Sequence, residues 1–362
     1  MGFSCGIVGL PNVGKSTLFN ALTKKITAEA ANYPFCTIEP NEGTVVVPDE
    51  RIDKLSEISE SKKTIPATLK FFDIAGLVKG ASKGEGLGNK FLSHIREVDA
   101  IIHLVRCFED ENITHVNNLI DPLNDLEVID TELILSDLEM LDKIKRNLEK
   151  LIKKGDKEAI QKAKFIDQTL THLSNGQSVR SMKNISEIKE NLNEYNLITL
   201  KPVIYVCNVD EDSIIEGNQF SSIFKESIKS NIILISADIE SQIATLPSEE
   251  QSDFLSTLGL EESGLNKIIK EGYKTLDLIT YFTSGETESK AWTIEKNTLA
   301  PDAAGKIHTD FKNGFIRAET ISCVDFIACN GEAKARELGK LRSEGKEYLV
   351  QDGDVMHFLF NN

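Results

Sequence analysis

The chain has 362 residues, a formal net charge of −16 and 40% hydrophobic residues. This length accommodates two or three domains, and the lack of any run of eighteen apolar residues excludes a conventional transmembrane helix. The negative charge argues against broad nonspecific binding to nucleic acid. The six cysteines are scattered without a CxxC pair, which is typical of reduced cytosolic thiols. We therefore expect a soluble, cytoplasmic protein.

Short apolar segments alternate with helical patterns in the first third of the chain and again after residue 200. The segments predicted as strands are residues 3–9, 68–73, 100–107, 202–207 and 232–235. Alternation of this kind predicts an α/β domain with a mainly parallel sheet that is covered on both faces. We assign residues 1–130 and 200–278 to this domain.

The intervening residues 131–199 have a different pattern, with dense charge and few glycines. Apolar residues recur at helical spacing on both sides of Gly155. The spacing predicts an inserted antiparallel α-helical coiled-coil arm that turns near this glycine. The segment 131–200 carries twelve Lys/Arg and eleven Asp/Glu, so the acidity lies mainly elsewhere and a local basic face for RNA stays open.

Residues 279–362 are rich in strand-like segments separated by turns that contain Gly, Asn or Pro. Residues 292–294 and 315–318 are examples, and residues 353–360 end the chain as a turn followed by a strand. This pattern predicts a small β-rich domain of about eighty residues.

A phosphate-binding loop follows the first predicted strand. Gly9-Leu10-Pro11-Asn12-Val13-Gly14-Lys15-Ser16 matches G-x-x-x-x-G-K-[ST] between a strand and a helical pattern, as the motif requires. The backbone amides converge on phosphate oxygens, Lys15 bridges the β- and γ-phosphates, and the Ser16 hydroxyl binds Mg²⁺. The predicted nucleotide-binding residues here are Asn12, Val13, Gly14, Lys15, Ser16 and Thr17, and Lys15 is also assigned a catalytic role.

A second phosphate-side motif, Asp73-Ile74-Ala75-Gly76, follows the strand at residues 68–73. A carboxylate at this place suits Mg²⁺, usually through water, and the Gly76 N–H can contact the γ-phosphate. Thr37 is a candidate second Mg²⁺ ligand. Residues 80–88 contain four glycines and are predicted to be a second switch segment, with an ordinary connecting loop as the alternative.

The predicted base site departs from guanine specificity. Guanine-specific relatives of this fold have N-K-x-D after a late strand, whereas this chain has Asn208-Val209-Asp210-Glu211. The lysine is replaced by Val209, and the longer Glu211 carboxylate is poorly placed for the guanine edge. Asn208 and Val209 remain predicted nucleotide contacts, together with Ser236 and Ala237 after the next strand.

These motifs together resemble the Obg-like ATPase family of YchF type, over nearly the whole chain. The resemblance rests on GLPNVGKST at residues 9–17, NYPFCTIEP at 32–40, DIAGLVKGASKGEGLG at 73–88 and NxxE at 208–211. It implies a preference for ATP, a P-loop domain with a coiled-coil arm, and a C-terminal TGS domain of β-grasp fold. It also implies Mg²⁺ as cofactor and the ribosome or its subunits as partner; we expect no membrane and no sequence-specific DNA as partners.

Two catalytic hypotheses depend on this resemblance. Leu77 stands where Ras-like enzymes have a water-orienting glutamine, and a histidine in the loop that matches the one containing His115 is the family's proposed replacement. Asn12 resembles the P-loop asparagine of potassium-stimulated relatives, which makes K⁺ a candidate second cofactor; an asparagine that only shapes the loop is the alternative. Two other functions stay open: a conventional GTPase switch, and a nucleotide-gated binding module with negligible turnover.

Overall fold

The computed structural model describes residues 3–30, 38–39, 41–74, 87–110 and 120–361. The strands in these ranges are β1 (Ser4–Val8), β2 (Ile38–Glu39), β3 (Glu42–Val46), β4 (Thr64–Ile65), β5 (Thr68–Asp73), β6 (Ala100–Cys107), β7 (Val203–Val209), β8 (Ile232–Ile235), β9 (Leu278–Thr283), β10 (Ser289–Glu295), β11 (Phe315–Ser322), β12 (Arg342–Glu344) and β13 (Asp354–Phe360).

Helices connect and cover these strands. They are α1 (Lys15–Ala30), α2 (Glu50–Ile58), α3 (Leu87–Glu97), α4 (Pro122–Ile152), α5 (Lys157–Ser174), α6 (Ile185–Leu192), α7 (Gln219–Ile228), α8 (Ala237–Ile243), α9 (Ser248–Thr257), α10 (Gly264–Thr275), α11 (Ala300–Ile307), α12 (Thr309–Asn313), α13 (Cys323–Ala328) and α14 (Glu332–Glu337). Short 3₁₀ turns lie at Val179–Ser181, Asn193–Tyr195, Ile198–Leu200 and Glu211–Ser213.

The first sheet has the strand order β2-β3-β5-β1-β6-β7-β8. The five strands β5, β1, β6, β7 and β8 pair in parallel. Strand β3 pairs antiparallel with β5, and β2 pairs antiparallel with β3. Every residue of β6 is buried, as expected of a strand that is covered on both faces. The α/β class and the five predicted strands are confirmed. The strands β2 and β3 were not predicted, because β2 has only two residues and β3 begins with Glu42 and Gly43, which interrupt an apolar pattern.

The second sheet has the order β12-β11-β13-β9-β10-β4 and forms most of the C-terminal domain. Its last strand, β4, comes from residues 64–65, and it pairs in parallel with β10. The prediction placed these residues in the nucleotide-binding domain. The structure corrects this boundary, because a strand joins whichever sheet offers it a hydrogen-bonding edge, and two residues carry no sequence signal for that choice.

The helical arm consists of α4 and α5, with a tight turn between them in which Gly155 has φ of +78°. Lys145 and Asp167 form an ion pair of 2.5 Å across the two helices, as an antiparallel hairpin allows. Helix α4 begins at Pro122, with Asp121 as its N-cap, and Ile129 and Leu133 on its first half belong to the core cluster of the parallel sheet. No helix within the described ranges combines the length and apolar character needed to cross a membrane.

Asp137 fixes the root of the arm to the nucleotide-binding domain. Its side chain is fully buried and accepts hydrogen bonds from Arg96 Nη1 on α3 at 2.9 Å and from Ile198 N at 3.1 Å. The backbone N and the hydroxyl of Thr199 each donate to it at 2.8 Å. These hydrogen bonds compensate the cost of burying the Asp137 carboxylate. Removal of the carboxylate would leave the same donors without an acceptor.

We predict that Asp137→Ala lowers the free energy of unfolding by about 3–5 kcal/mol, because the buried backbone amides of Ile198 and Thr199 and the Thr199 hydroxyl lose their acceptor and Arg96 loses its carboxylate partner. Urea unfolding of the full chain measures this loss. Asp167→Ala is the matched control, since it removes an arm carboxylate from an exposed ion pair and should change stability little. Equal losses for the two variants would contradict the role given to Asp137.

Candidate functional site

The loop between β1 and α1 is shaped by two glycines that leave no space for a side chain. A Cβ on Gly14, whose φ is +99°, would lie 2.3 Å from Asn208 Nδ2, and a Cβ on Gly9 would lie 2.6 Å from the Leu104 carbonyl oxygen. Asn12 also has a left-handed backbone, with φ of +65°, and is exposed. The loop therefore has the geometry of a backbone cradle that leads into the first turn of α1.

Lys15 and Asp73 bring opposite charges to one side of this loop. Lys15 is 8% exposed and donates from Nζ to the Leu10 carbonyl at 3.4 Å. Burial lowers the pKa of the Lys15 ammonium, and the nearby Asp73 carboxylate opposes the shift. Burial also raises the pKa of the Asp73 carboxyl, against the charge of Lys15. A ligand of opposite sign would stabilise each charged form, phosphate in the case of Lys15 and a cation in the case of Asp73.

The residues present fit a magnesium ion. Asp73 Oδ1 is buried without a hydrogen-bond partner within the described part of the chain. Ser16 lies on the first turn of α1 and is exposed, and Thr17 beside it is half-buried. A carboxylate and a hydroxyl next to a phosphate-binding loop form an oxygen-rich donor set of the kind that Mg²⁺ takes together with phosphate.

Three predicted site residues lie outside the described residues. They are Thr37, Gly76 and His115, and most of the predicted second switch segment at residues 80–88 lies outside as well. Their roles stay predictions.

Asn208 connects three parts of the nucleotide site. It is 4% exposed at the end of β7; its Nδ2 donates to the Val13 carbonyl at 3.0 Å, and its Oδ1 accepts from Ala237 N at 2.9 Å. Ser236 is the N-cap of α8 and accepts from Ile239 N. The phosphate loop and the loop before α8 are therefore held in one arrangement by a single carboxamide.

The two residues that replace the guanine-specific pair are engaged elsewhere. Val209 is 2% exposed and packs in a core cluster with Cys107 and Phe224, so its side chain does not reach the surface of the site. Glu211 Oε1 accepts from Gln242 Nε2 at 3.1 Å. Any ligand contact of Val209 therefore goes through its backbone, and the Glu211 carboxylate already has a partner on α8.

The comparison with known proteins covers the whole chain. Residues 4–209 match a family model described as a 50S ribosome-binding GTPase, and residues 278–361 match the YchF-GTPase_C model, described as a protein of unknown function. The ribosome-binding ATPase YchF of Escherichia coli O157:H7 is 53% identical over 364 residues, with 100% of both chains covered. The corresponding proteins of Haemophilus influenzae and Bacillus subtilis are 54% and 51% identical, also over 100% of both chains. This chain belongs to the YchF family.

The solved structures extend this relationship to the complete fold. The YchF GTPase of Schizosaccharomyces pombe superimposes with a TM-score of 0.89 at 40% identity, and covers 99% of this chain and 98% of its own. A GTP-binding protein of Pyrococcus horikoshii shares the fold, with a TM-score of 0.62 at 20% identity, over 99% and 100% of the two chains. The arm and the C-terminal domain are thus part of the YchF fold.

Sequence reasoning missed several residues that position this YchF-family site. Arg106 is 1% exposed on β6 and donates to the carbonyls of Phe108 and Asp110, so it fixes the backbone just before residues 111–119, which lie outside the described ranges. Gln242 holds Glu211, and the Asn218 amide donates to the Cys107 carbonyl at 2.6 Å. These residues belong to no motif. Arg106 alone offered a sequence signal, as a charged residue inside a continuous apolar strand.

We predict that Asn208→Ala weakens ATP binding and destabilises the fold by about 1–3 kcal/mol, because the Val13 carbonyl and the Ala237 N–H lose their buried partner. Titration with ATP and urea unfolding measure the two effects. The control is Asn191→Ala in the arm, where the amide donates to the Glu187 carbonyl in an exposed position. Unchanged ATP affinity in Asn208→Ala would show that this amide does not organise the nucleotide site.

Proposed function

We propose that this YchF-family chain is a Mg²⁺-dependent ATPase and a molecular switch that binds ribosomes. The observation that carries the proposal is the pairing of a glycine cradle and the buried Lys15 with a buried, unpartnered oxygen of Asp73. A cation and a carboxylate that are both desolvated at the start of a helix suit a metal-bound triphosphate.

Different residues of the site bind the phosphates, the metal ion and the purine. The amides of the loop around Gly14 bind the phosphates, and Lys15 stabilises charge on the β- and γ-phosphates. Ser16, Asp73 and Thr37 are the proposed Mg²⁺ ligands, and Gly76 contacts the γ-phosphate. When bound, Mg²⁺ neutralises phosphate charge that develops during transfer. Asn208, the backbone of Val209, and the segment Ser236–Ala237 line the side of the purine.

The nucleotide choice follows from the base site. Guanine recognition needs a carboxylate free to accept from N1–H and the exocyclic amine, and adenine presents a lone pair at N1. Glu211 hydrogen-bonds to Gln242, and Asp210 accepts from Ser213 N at 3.0 Å and from the Asn218 amide at 3.3 Å. Both carboxylates have partners within the protein, which favours adenine over guanine.

We predict that ATP binds at least several-fold more tightly than GTP, measured in one affinity titration with both nucleotides at the same Mg²⁺ concentration. Glu211→Asp alone should not produce full guanine preference, because Val209 still lacks a lysine stem to cover the base. Equal affinities, or tighter binding of GTP, would replace the ATPase proposal with the conventional GTPase.

Catalysis requires a group that positions water, because Leu77 cannot hydrogen-bond. We propose His115 for this task, and Arg106 fixes the backbone that precedes it in the chain, at Phe108 and Asp110. An imidazole can orient water or donate to the γ-phosphate. K⁺ near Asn12 is a further proposal; the left-handed backbone at Asn12 equally suits a residue that shapes the loop. Turnover in KCl and NaCl at equal ionic strength separates these two roles.

We predict different losses of ATP turnover when the two proposed catalytic residues are substituted. Lys15→Ala abolishes turnover, since removing a phosphate-paired cation costs on the order of 2–4 kcal/mol. His115→Ala keeps ATP affinity and lowers kcat at least about tenfold, or roughly 1.4 kcal/mol. His308→Ala, an exposed change in the C-terminal domain, is the control. Turnover is measured at saturating ATP with and without ribosomes; an unchanged kcat in His115→Ala removes this residue from the mechanism.

The ribosome is the proposed partner because three full-length relatives are named ribosome-binding ATPases. The end of the arm supports an RNA contact: residues 143–164 contain nine Lys/Arg and three Asp/Glu, in a chain whose net charge is −16. An excess of cations on a projecting hairpin suits the phosphate backbone. With this partner we propose a cytoplasmic location.

A further inference from the structure

The segment between β3 and β5 leaves the first sheet and returns to it after joining the second. Val47 N donates to the Ala67 carbonyl at 2.9 Å, and this hydrogen bond joins the two ends of the segment. Beyond that point β4 pairs with β10, at Thr64 with Ser289 and at Ile65 with Lys290. We call residues 47–67 the connecting segment.

Further backbone bonds attach the connecting segment to the turn between β9 and β10. Lys62 N donates to the Glu286 carbonyl at 3.0 Å, and Ser289 N donates to the Lys63 carbonyl at 2.9 Å. The Ser61 hydroxyl donates to the Gly285 carbonyl at 2.8 Å. Backbone bonds of this kind specify position, so the segment follows the second sheet when that sheet moves.

Apolar side chains of the connecting segment also pack in one core with the second sheet. Ile52 and Leu55 of α2 are 2% and 0% exposed, and they belong to the same buried cluster as Phe282 of β9 and Phe326 of α13. Burial of one aliphatic side chain contributes roughly 1.5–3 kcal/mol to stability. The burial of Ile52 and Leu55 against the second sheet therefore attaches the two sheets firmly. The C-terminal domain is completed by residues that precede it by more than two hundred positions.

Arg51 is the main polar link in this attachment. Its Nε and Nη2 donate to the two oxygens of Asp49 at 2.8 and 2.7 Å, and its Nη1 donates to Asp352 Oδ2 at 2.6 Å. Asp352 Oδ1 in turn accepts from Thr280 N at 2.9 Å, and the guanidinium lies 5.1 Å from the Phe282 ring centre. One side chain thus joins the start of α2 to β9 and to the turn before β13.

The opposite end of β5 lies in the nucleotide site. Its six residues end at Asp73, and the strand is hydrogen-bonded to β3 on one side and to β1 on the other. At about 3.3 Å per residue, β5 spans about 20 Å from the connecting segment to the proposed metal ligand. A strand paired on both edges resists bending, so a displacement at one end reaches the other.

We propose that the connecting segment couples the C-terminal domain to the Mg²⁺ site, with Arg51 as a positioning residue that acts through Asp73. The coupling rests on the proposed ATPase function and adds that the C-terminal sheet regulates it. Because such coupling is reciprocal, Mg²⁺ and ATP also alter the C-terminal sheet, and a partner on that sheet alters the Mg²⁺ affinity.

The first test compares full-length variants in their Mg²⁺ requirement for ATP turnover. Arg51→Gln and Asp352→Asn should each raise the Mg²⁺ concentration for half-maximal turnover at least about fivefold, with kcat at saturating Mg²⁺ nearly unchanged. The double variant should equal the single ones, and Arg51→Lys should recover part of the effect. Arg317→Gln is the control, because Arg317 pairs with Glu319 within the C-terminal domain and away from the connecting segment. An unaltered Mg²⁺ profile in Arg51→Gln overturns the assignment.

The second test needs no substitution. Hydrogen exchange of the wild-type chain with and without Mg²⁺ and ATP should show slower exchange at Thr64–Ile65 and Thr280–Phe282, far from the nucleotide. Protection of the phosphate loop without any change in these strands contradicts the coupling but leaves the ATPase proposal intact. Absence of protection at the phosphate loop itself contradicts the ATPase proposal.

Discussion

The carboxamide of Asn208 stands within contact of Gly14, in the space that a Cβ on this residue would need. From there it donates to the Val13 carbonyl and accepts from Ala237 N, so one side chain fixes the phosphate loop against the last strands of the parallel sheet. This close contact requires a glycine at position 14 and an amide at position 208. An aspartate at 208 would lose the donor, and a larger residue at 14 would displace the loop.

The parallel sheet collects the remaining site residues at one edge. The carboxyl ends of β5, β1, β7 and β8 lead into Asp73, the phosphate loop, Asn208 and Ser236, in that spatial order. Polar groups at such an edge lie outside the apolar faces of the sheet, yet burial lowers the pKa of Lys15 and raises the pKa of Asp73. In the proposed function, phosphate and a metal ion supply the opposite charges that would stabilise the charged forms of these two side chains.

The two sheets are connected by more than a linker. A single buried cluster contains Leu69 of the first sheet, Leu55 of α2 and Phe282 of the second sheet. Arg96 on α3 makes a comparable connection to the arm through the fully buried Asp137. The C-terminal domain and the arm are therefore attached to helices that flank strand β5 in the chain, since α2 precedes this strand and α3 follows it.

Much of this architecture was determined by the sequence alone. The P-loop motif, the alternation of five apolar strands with helices, the four-three spacing on both sides of Gly155 and the strand-rich end each predicted an element that the structure contains. These are local patterns, and local patterns depend only on neighbouring residues. Tertiary structure decided the rest. The attachment of β4 to β10, the contact of Glu211 with Gln242 and the contact of Arg51 with Asp352 join residues that lie 31 to more than two hundred positions apart. These hydrogen bonds form because the folded backbone brings two distant segments together. The periodicity and spacing within either segment do not indicate which other segment it will contact.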